Sequence, residues 1–216
     1  MRGLEALVFD LDGTLIDSTQ AVTTAYREAV LHRGGRRYEA AEIVAAYAVG
    51  PPLALLTHLL GRTADDADLV AYHTCLAELI DRVVVYPGVR EALRDLQAAA
   101  VPLAVFTGGS SRAARIMLEG TGLAAHFAVV VGGDQVARPK PEPDGVERAC
   151  RLLGVEPRCA GYVGDSPLDL EAARRSGACA IASAWGHLYR PDAPADVVVG
   201  HPGELLALSG RPAIGG

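Results

Sequence analysis

The chain has 216 residues, half of them hydrophobic, with 20 Lys and Arg against 26 Asp and Glu for a net charge of −6. That is enough to bury a substantial core and to fold as one domain, or as one domain carrying an insertion. The acidic balance offers no basic field for a nucleic-acid backbone or an anionic membrane, and no apolar run approaches membrane-spanning length, so neither partner is expected.

The opening MRGLEALVFD reaches an aspartate too soon for a secretory apolar segment. Leu4 to Phe9 reads as a buried strand that stops at Asp10, followed by Asp12 and Gly13 in VFDLDGTLIDS. Buried carboxylates are costly unless paired or metal-bound, so two of them at a strand end ask for a purpose. Ser18 or Thr19 caps a helix through AVTTAYREAVLH that ends at Gly34 and Gly35. Residues 39–60 and 66–82 read as further helices, broken within AVGPPLALL and at Gly61, with no strand between them.

Beyond Tyr86-Pro87-Gly88 the pattern alternates. Helix GVREALRDLQAA, strand VPLAVFT, helix SSRAARIMLEGTG and strand FAVVVGG are followed by a helix over Pro143 to Leu153. Strand AGYVGD, helix PLDLEAARRSG, strands CAIAS and ADVVV, and a short helix from Pro202 to Leu208 complete the chain. Such alternation implies an α/β, Rossmann-like core with a mostly parallel sheet. The all-helical block is read as an inserted cap domain over residues 17–84, the core being 1–16 and 85–216. Leaving from the carboxyl end of the first strand, the cap is expected to sit over the ligand-binding edge of the sheet.

Composition singles out one residue. Of the 20 basic residues, Lys140 alone is lysine, which suggests a place where a compact ammonium is needed and a planar guanidinium will not serve. The four cysteines, Cys75, Cys150, Cys159 and Cys179, form no CxxC pair and read as small hydrophobes in a reducing cytoplasm.

In a parallel sheet the strand ends gather distant segments. Asp10 and Asp12 follow the first strand, and Thr107 with Gly108, Gly109 and Ser110 follows the second, in a loop of free backbone donors entering a helix. Lys140 lies in DQVARPKPEP, and Asp165 and Asp169 lie in GDSPLD. These groups suit phosphoryl transfer. Asp10, Asp12 and Asp165 offer hard oxygen ligands for Mg²⁺, with Asp12 able to contribute its backbone carbonyl. One carboxylate serves as nucleophile, and Asp12 protonates the leaving oxygen and later activates water. Thr107 and the amides of Gly108 and Gly109 hold phosphoryl oxygens, and Lys140 neutralises charge.

The set DLDGT at 10–14, FTGGS at 106–110, RPKPEP at 138–143 and GDSPLD at 164–169 resembles the four motifs of the haloacid dehalogenase-like hydrolase superfamily. The resemblance covers essentially the whole chain. It implies Asp10 as nucleophile, Asp12 as general acid/base, Thr107 as phosphate binder, Lys140 as charge stabiliser, Asp165 as metal ligand and Asp169 as a supporting acid. It also implies a small helical cap after the first motif, as in phosphoglycolate phosphatases.

Within that family, Asp12 argues against dehalogenation, because a halide leaves without a proton. An insertion without lysine argues against a Schiff-base phosphonatase, and DSTQAVTTAY lacks the early histidine of β-phosphoglucomutase-type enzymes. The expected activity is Mg²⁺-dependent hydrolysis of a small phosphorylated metabolite; sugar phosphomutase is the runner-up, ahead of a non-catalytic phosphate-binding scaffold.

Selection is expected from the cap. The loop Ala48 to Ala54 is read either as dipping toward the site or as a plain connection, and Arg33, Arg36 and Arg37 as a solvated turn more readily than a carboxylate clamp. His58, His73 and His126 are read as structural or surface residues, Trp185 as packed, and His187 is left undecided.

Overall fold

The computed structural model describes residues 3–210; residues 1–2 and 211–216, the outer edges of the expected core, lie outside the described residues. In chain order the strands are β1 (Ala6–Phe9), β2 (Ile16–Asp17), β3 (Val84–Val85), β4 (Leu103–Phe106), β5 (Val129–Val131), β6 (Ala160–Gly164), β7 (Cys179–Ser183) and β8 (Val197–Val199). The helices are α1 (Thr19–His32), α2 (Ala40–Ala46), α3 (Pro52–Leu60), α4 (Asp66–Glu78), α5 (Val89–Ala98), α6 (Ser111–Gly120), α7 (Asp144–Leu153), α8 (Pro167–Ser176) and α9 (Leu205–Leu208).

Six strands form one parallel sheet in the order β5-β4-β1-β6-β7-β8. All residues of β1, β4 and β6 are buried, because helices cover both faces. Alternation along β1 divides the core. Leu7 and Phe9 pack with Val105, Val163 and the apolar sides of α5 and α6, whereas Ala6 and Val8 pack with Ala104, Tyr162 and residues of α7 and α8. The second face is largely alanine, with Phe106 and Tyr162 the aromatic residues among its buried members.

The chain leaves β1, returns through β4 and β5 on one side, and then crosses to β6 on the other. The connections therefore diverge around β1, and this is the point of an open α/β sheet where a crevice forms at the carboxyl ends.

Between β2 and β3 the long elements are all helices, α1 to α4. The break expected within AVGPPLALL is present: α2 gives way to a single 3₁₀ turn at Tyr47–Val49, and α3 starts afresh at Pro52. Proline lacks the N–H that a continuing helix would use but fits a first turn. The helix expected over 66–82 ends at Glu78, followed by a 3₁₀ turn at Ile80–Arg82. Two strands went unseen in the sequence. β2 and β3 pair antiparallel, Ile16 with Val85 and Asp17 with Val84, where the helical segment leaves and rejoins the core. Two-residue strands carry no periodicity to read.

Within the helical segment α1 packs on α4, and the rings of Tyr26 and Tyr72 stack 4.1 Å apart. Asp68, in the first turn of α4, is covered by two guanidinium groups: Arg62 donates at 2.7 and 2.8 Å and Arg33 at 2.6 Å. These bonds hold the Asp68 carboxyl well below the usual carboxylate range, Arg62 first, against the opposing effect of desolvation. Arg36 pairs with Glu42 and lies over the Tyr38 ring, and Arg37 is exposed. Arg33 and Arg36 are thus engaged within the helical segment itself.

Candidate active site

Three adjacent strands end at three of the candidate side chains. Asp10 follows β1, with its N–H still bonded to Val163 O at 2.8 Å; Thr107 follows β4, with its N–H bonded to Val131 O at 3.1 Å; Asp165 follows β6. With neighbouring strands about 4.8 Å apart, side chains in the first position past each strand meet at one edge.

Lys140 reaches this edge from the segment after β5, and its peptide bond to Pro141 is cis. Its Nζ donates to Asp10 Oδ1 at 2.5 Å and to Asp169 Oδ1 at 2.6 Å, with the side chain 10% exposed. The rings of Phe106 and Tyr162 flank the ammonium, with centroids 5.1 and 5.4 Å away. Burial alone would discharge this amine, yet Asp10 and Asp169 outweigh it and hold the ammonium above its ordinary value.

Asp169 divides its oxygens. Oδ2 accepts from the amide and hydroxyl of Ser166 at 3.0 and 2.7 Å, closing the capping box of α8, while Oδ1 faces Lys140 and the Tyr162 hydroxyl at 3.1 Å. The same carboxylate thus caps α8 and accepts from the Lys140 ammonium.

Asp10, Asp165 and Asp169 place carboxylate oxygens within 4.8 Å of one another, and all three are buried. Desolvation raises Asp10 to about 8 and Asp165 to about 6, with Lys140 opposing the first shift and the Leu188 amide the second. Asp165 Oδ2 accepts from Leu188 N at 2.8 Å, whereas its Oδ1 is buried with no hydrogen-bond partner. Clustered hard oxygens, one without a partner, fit a divalent cation such as Mg²⁺. The carboxylate of Asp12 is not in this cluster; its Oδ1 accepts from Ser18 N at 2.9 Å.

The loop from Leu11 to Leu15 is wound tightly, with Leu15 N bonded to Leu11 O at 2.9 Å and Gly13 N to Ile16 O at 2.8 Å. Gly13 has φ +86°, and a Cβ there would lie 2.3 Å from Asp165 Oδ2, so glycine is required twice over. Burial pushes the Asp12 carboxyl up from its ordinary value, against the Ser18 bonds. Ser18 precedes α1 as anticipated, but its hydroxyl makes no cap bond and its amide is spent on Asp12.

Thr107 is buried, and its Oγ1 accepts from Gly109 N at 3.2 Å. Ser110 Oγ caps α6 by accepting from Ala113 N at 3.1 Å. Gly108 has open space where a Cβ would be.

Other contributors escaped the sequence reading. Gly186 sits against the carboxylate cluster, where a Cβ would lie 2.2 Å from Asp165 Cβ and 2.3 Å from Gly13 O. Trp185 is packed, as expected, and donates from Nε1 to Thr14 O at 2.9 Å, tying the AWGHLYRP segment to the Asp10 loop. His187 Nδ1 lies 3.3 Å from the Tyr86 hydroxyl. His58 is exposed, and His126 bonds Gln97 at 2.9 Å. His73 is buried and bonds Ser110 Oγ at 2.9 Å. Only the G in AWGH hinted at close backbone approach; the remaining contacts join residues far apart in sequence.

Comparison with known proteins places the chain in a family. A family model for haloacid dehalogenase-like hydrolases matches residues 4–177. A phosphoglycolate phosphatase of Chromobacterium violaceum is 34% identical over 96% of this chain and 97% of its own, and one of Aquifex aeolicus is 29% identical over 95% and 96%. Among solved structures, CbbY from Rhodobacter sphaeroides in complex with phosphate superposes with a TM-score of 0.83 at 25% identity, covering 96% of this chain and 99% of CbbY. A mutant of CbbY in complex with xylulose-(1,5)bisphosphate gives 0.79 at 25% identity, covering 93% and 96%. The chain belongs to the haloacid dehalogenase-like hydrolase family.

Proposed function

We propose that this chain is a Mg²⁺-dependent phosphomonoesterase that hydrolyses a small phosphorylated metabolite through an aspartyl-phosphate on Asp10. The observation that carries the reading is the Lys140 ammonium held between Asp10 and Asp169 beside the buried carboxylate cluster. Relatives that are phosphoglycolate phosphatases, and a structural neighbour complexed with phosphate and with a sugar bisphosphate, support the substrate class.

Asp10, Asp165 and the Asp12 carbonyl, with Asp169 in support, would hold Mg²⁺, which when bound offsets repulsion between carboxylates and phosphate. The amides of Gly108 and Gly109 and the Thr107 hydroxyl receive phosphoryl oxygens. A carboxylate oxygen of Asp10 attacks phosphorus in line, the bond to the leaving oxygen breaks, and Asp12 donates its proton to that oxygen. Water then attacks the aspartyl-phosphate, Asp12 takes a proton from it, and the bond between phosphorus and Asp10 breaks to release inorganic phosphate. Lys140 supports both steps by neutralising charge shared between Asp10 and the phosphoryl group. Residues 17–84 act as a cap that shields the centre from water and selects the leaving group, over a core of 1–16 and 85–216. A reducing cytoplasm suits the four free cysteines.

The test is phosphate release from an aryl phosphate and from a panel of phosphorylated metabolites, with and without Mg²⁺. Asp10→Asn is expected to lower turnover by at least about 10³-fold with an unchanged circular dichroism spectrum. Full turnover in that variant would refute the assignment. Isomerisation of a sugar phosphate outpacing its hydrolysis would make the enzyme a mutase instead.

A further inference from the structure

The two glycines of the phosphate loop need external restraint, since Gly108 and Gly109 have little side-chain packing to fix them. On the core side that restraint is evident. Gly133 N donates to Gly109 O at 2.7 Å, and Asp134 accepts from Ser111 N at 2.7 Å and from the Ser111 hydroxyl at 3.0 Å.

A second restraint comes from the helical segment. His73, on α4, is 6% exposed, and its Nε2 lies 2.9 Å from Ser110 Oγ, itself 4% exposed. Among the described residues this is the one side-chain hydrogen bond from α1 to α4 into the core. It is built in on both sides. The His73 ring packs beside Tyr72, at 5.2 Å between centroids, and Tyr72 stacks on Tyr26. Helix α6 is seated against the same region at its far end, where the Cβ position of Gly120 lies 2.1 Å from Ile80 Cγ1. Ser110 Oγ already accepts from Ala113 N, so the histidine fixes the remaining freedom of that hydroxyl and, with it, the residue directly after Gly109.

We propose that His73 is a positioning residue for phosphate binding: through Ser110 it orders the Gly108-Gly109 loop, so a residue of the cap sets affinity for the phosphoryl group itself. The proposal rests on the phosphomonoesterase reading above. It separates two functions of the cap, since restraint by His73 acts on every substrate alike whereas selection acts on the leaving group.

Inorganic phosphate is the probe, measured as a competitive inhibitor in the presence of Mg²⁺. His73→Leu is expected to weaken phosphate binding and raise KM by about tenfold for all substrates, the loss of one well-made buried hydrogen bond. His73→Gln, which keeps a hydrogen-bonding group, is expected to recover most of that loss. Ser110→Ala is expected to cost at least as much, since it also removes the α6 cap to Ala113 N, and adding His73→Leu to it is expected to cost little more, because the bond between His73 and Ser110 is already gone. Should His73→Leu fail to fold, His73→Asn, a polar side chain too short to reach Ser110 Oγ, against His73→Gln gives the same comparison with the α6 cap kept. Unchanged phosphate affinity in folded His73→Leu, or independent losses in the double variant, would overturn the proposal while leaving the phosphomonoesterase reading intact. Failure of the native enzyme to bind phosphate at all would instead remove that reading, and this inference with it.

Discussion

Lys140 Nζ and Asp10 Oδ1 stand 2.5 Å apart at the carboxyl end of the sheet, across 130 positions of sequence. The pocket around them is closed by two aromatic rings and by Asp169, leaving the ammonium room for two short bonds and little else.

Lys140→Arg is therefore expected to keep the charge and lose the function. A planar guanidinium cannot occupy a point between Asp10 and Asp169 without moving Phe106 or Tyr162. Steady-state phosphate release should fall by about 10²-fold or more, the cost of misplacing one charge-stabilising group. Retention of half the native rate would show that the site tolerates the larger cation.

Mg²⁺ is expected to stabilise the folded protein. Three buried carboxylates lie within 4.8 Å, and one oxygen of Asp165 has no partner. At a hundredfold excess over its dissociation constant, the ion should add about 2.7 kcal/mol, or roughly 5–10 °C in Tm for a chain of this size. Differential scanning fluorimetry with and without Mg²⁺ measures the shift, which should shrink in Asp165→Asn. An equal shift in that variant would place the ion elsewhere.

Gly186→Ala is expected to damage the site from outside the four motifs. Its new methyl would lie 2.2 Å from Asp165 Cβ and 2.3 Å from Gly13 O, so Asp165 or the Asp10 loop must shift. Overpacking of this kind costs about 1–3 kcal/mol of stability. The Mg²⁺ concentration needed for half-maximal activity should also rise. A variant with native Mg²⁺ dependence would mean that the loop yields without disturbing Asp165.

Asp68 is expected to make the helical segment acid-sensitive. Its carboxyl is held low by Arg62 and Arg33, so the folded state binds a proton less readily than the unfolded chain. Its contribution is thus present in full above the unfolded carboxylate value near 4 and is lost as pH falls through the lower folded value. Asp68→Asn should destabilise the protein at pH 7 by about 1–2 kcal/mol, the lower range for charged bonds because both guanidinium groups touch water. Urea unfolding at pH 7 and at pH 3 gives the comparison, and the gap between variant and native protein should narrow at the lower pH.

Much of the site was legible in local pattern. VFDLDGT announces a buried strand ending in carboxylates, and the lone lysine among 20 basic residues marked itself by composition. Alternation of strands and helices declared a parallel sheet, because that periodicity is imposed by burial on both faces. The partners each aspartate meets were not legible in spacing alone. Spacing cannot say that Asp12 turns to the Ser18 amide while Asp169 joins Asp10 and Asp165, since all are carboxylates near strand or helix ends.

The sequence by itself determined the fold class, the family motifs and the residue types available for chemistry, because these depend on local propensity and hydrophobic period. Only the tertiary structure decided that His73 reaches Ser110, that Gly186 must lack a side chain beside Asp165, and that Arg33 is spent on Asp68. Those outcomes are contacts between residues 35 and 37 positions apart, or a backbone approach in which an added Cβ would come within 2.2 Å of Asp165, and no periodicity along a chain encodes a contact made only when its elements have packed.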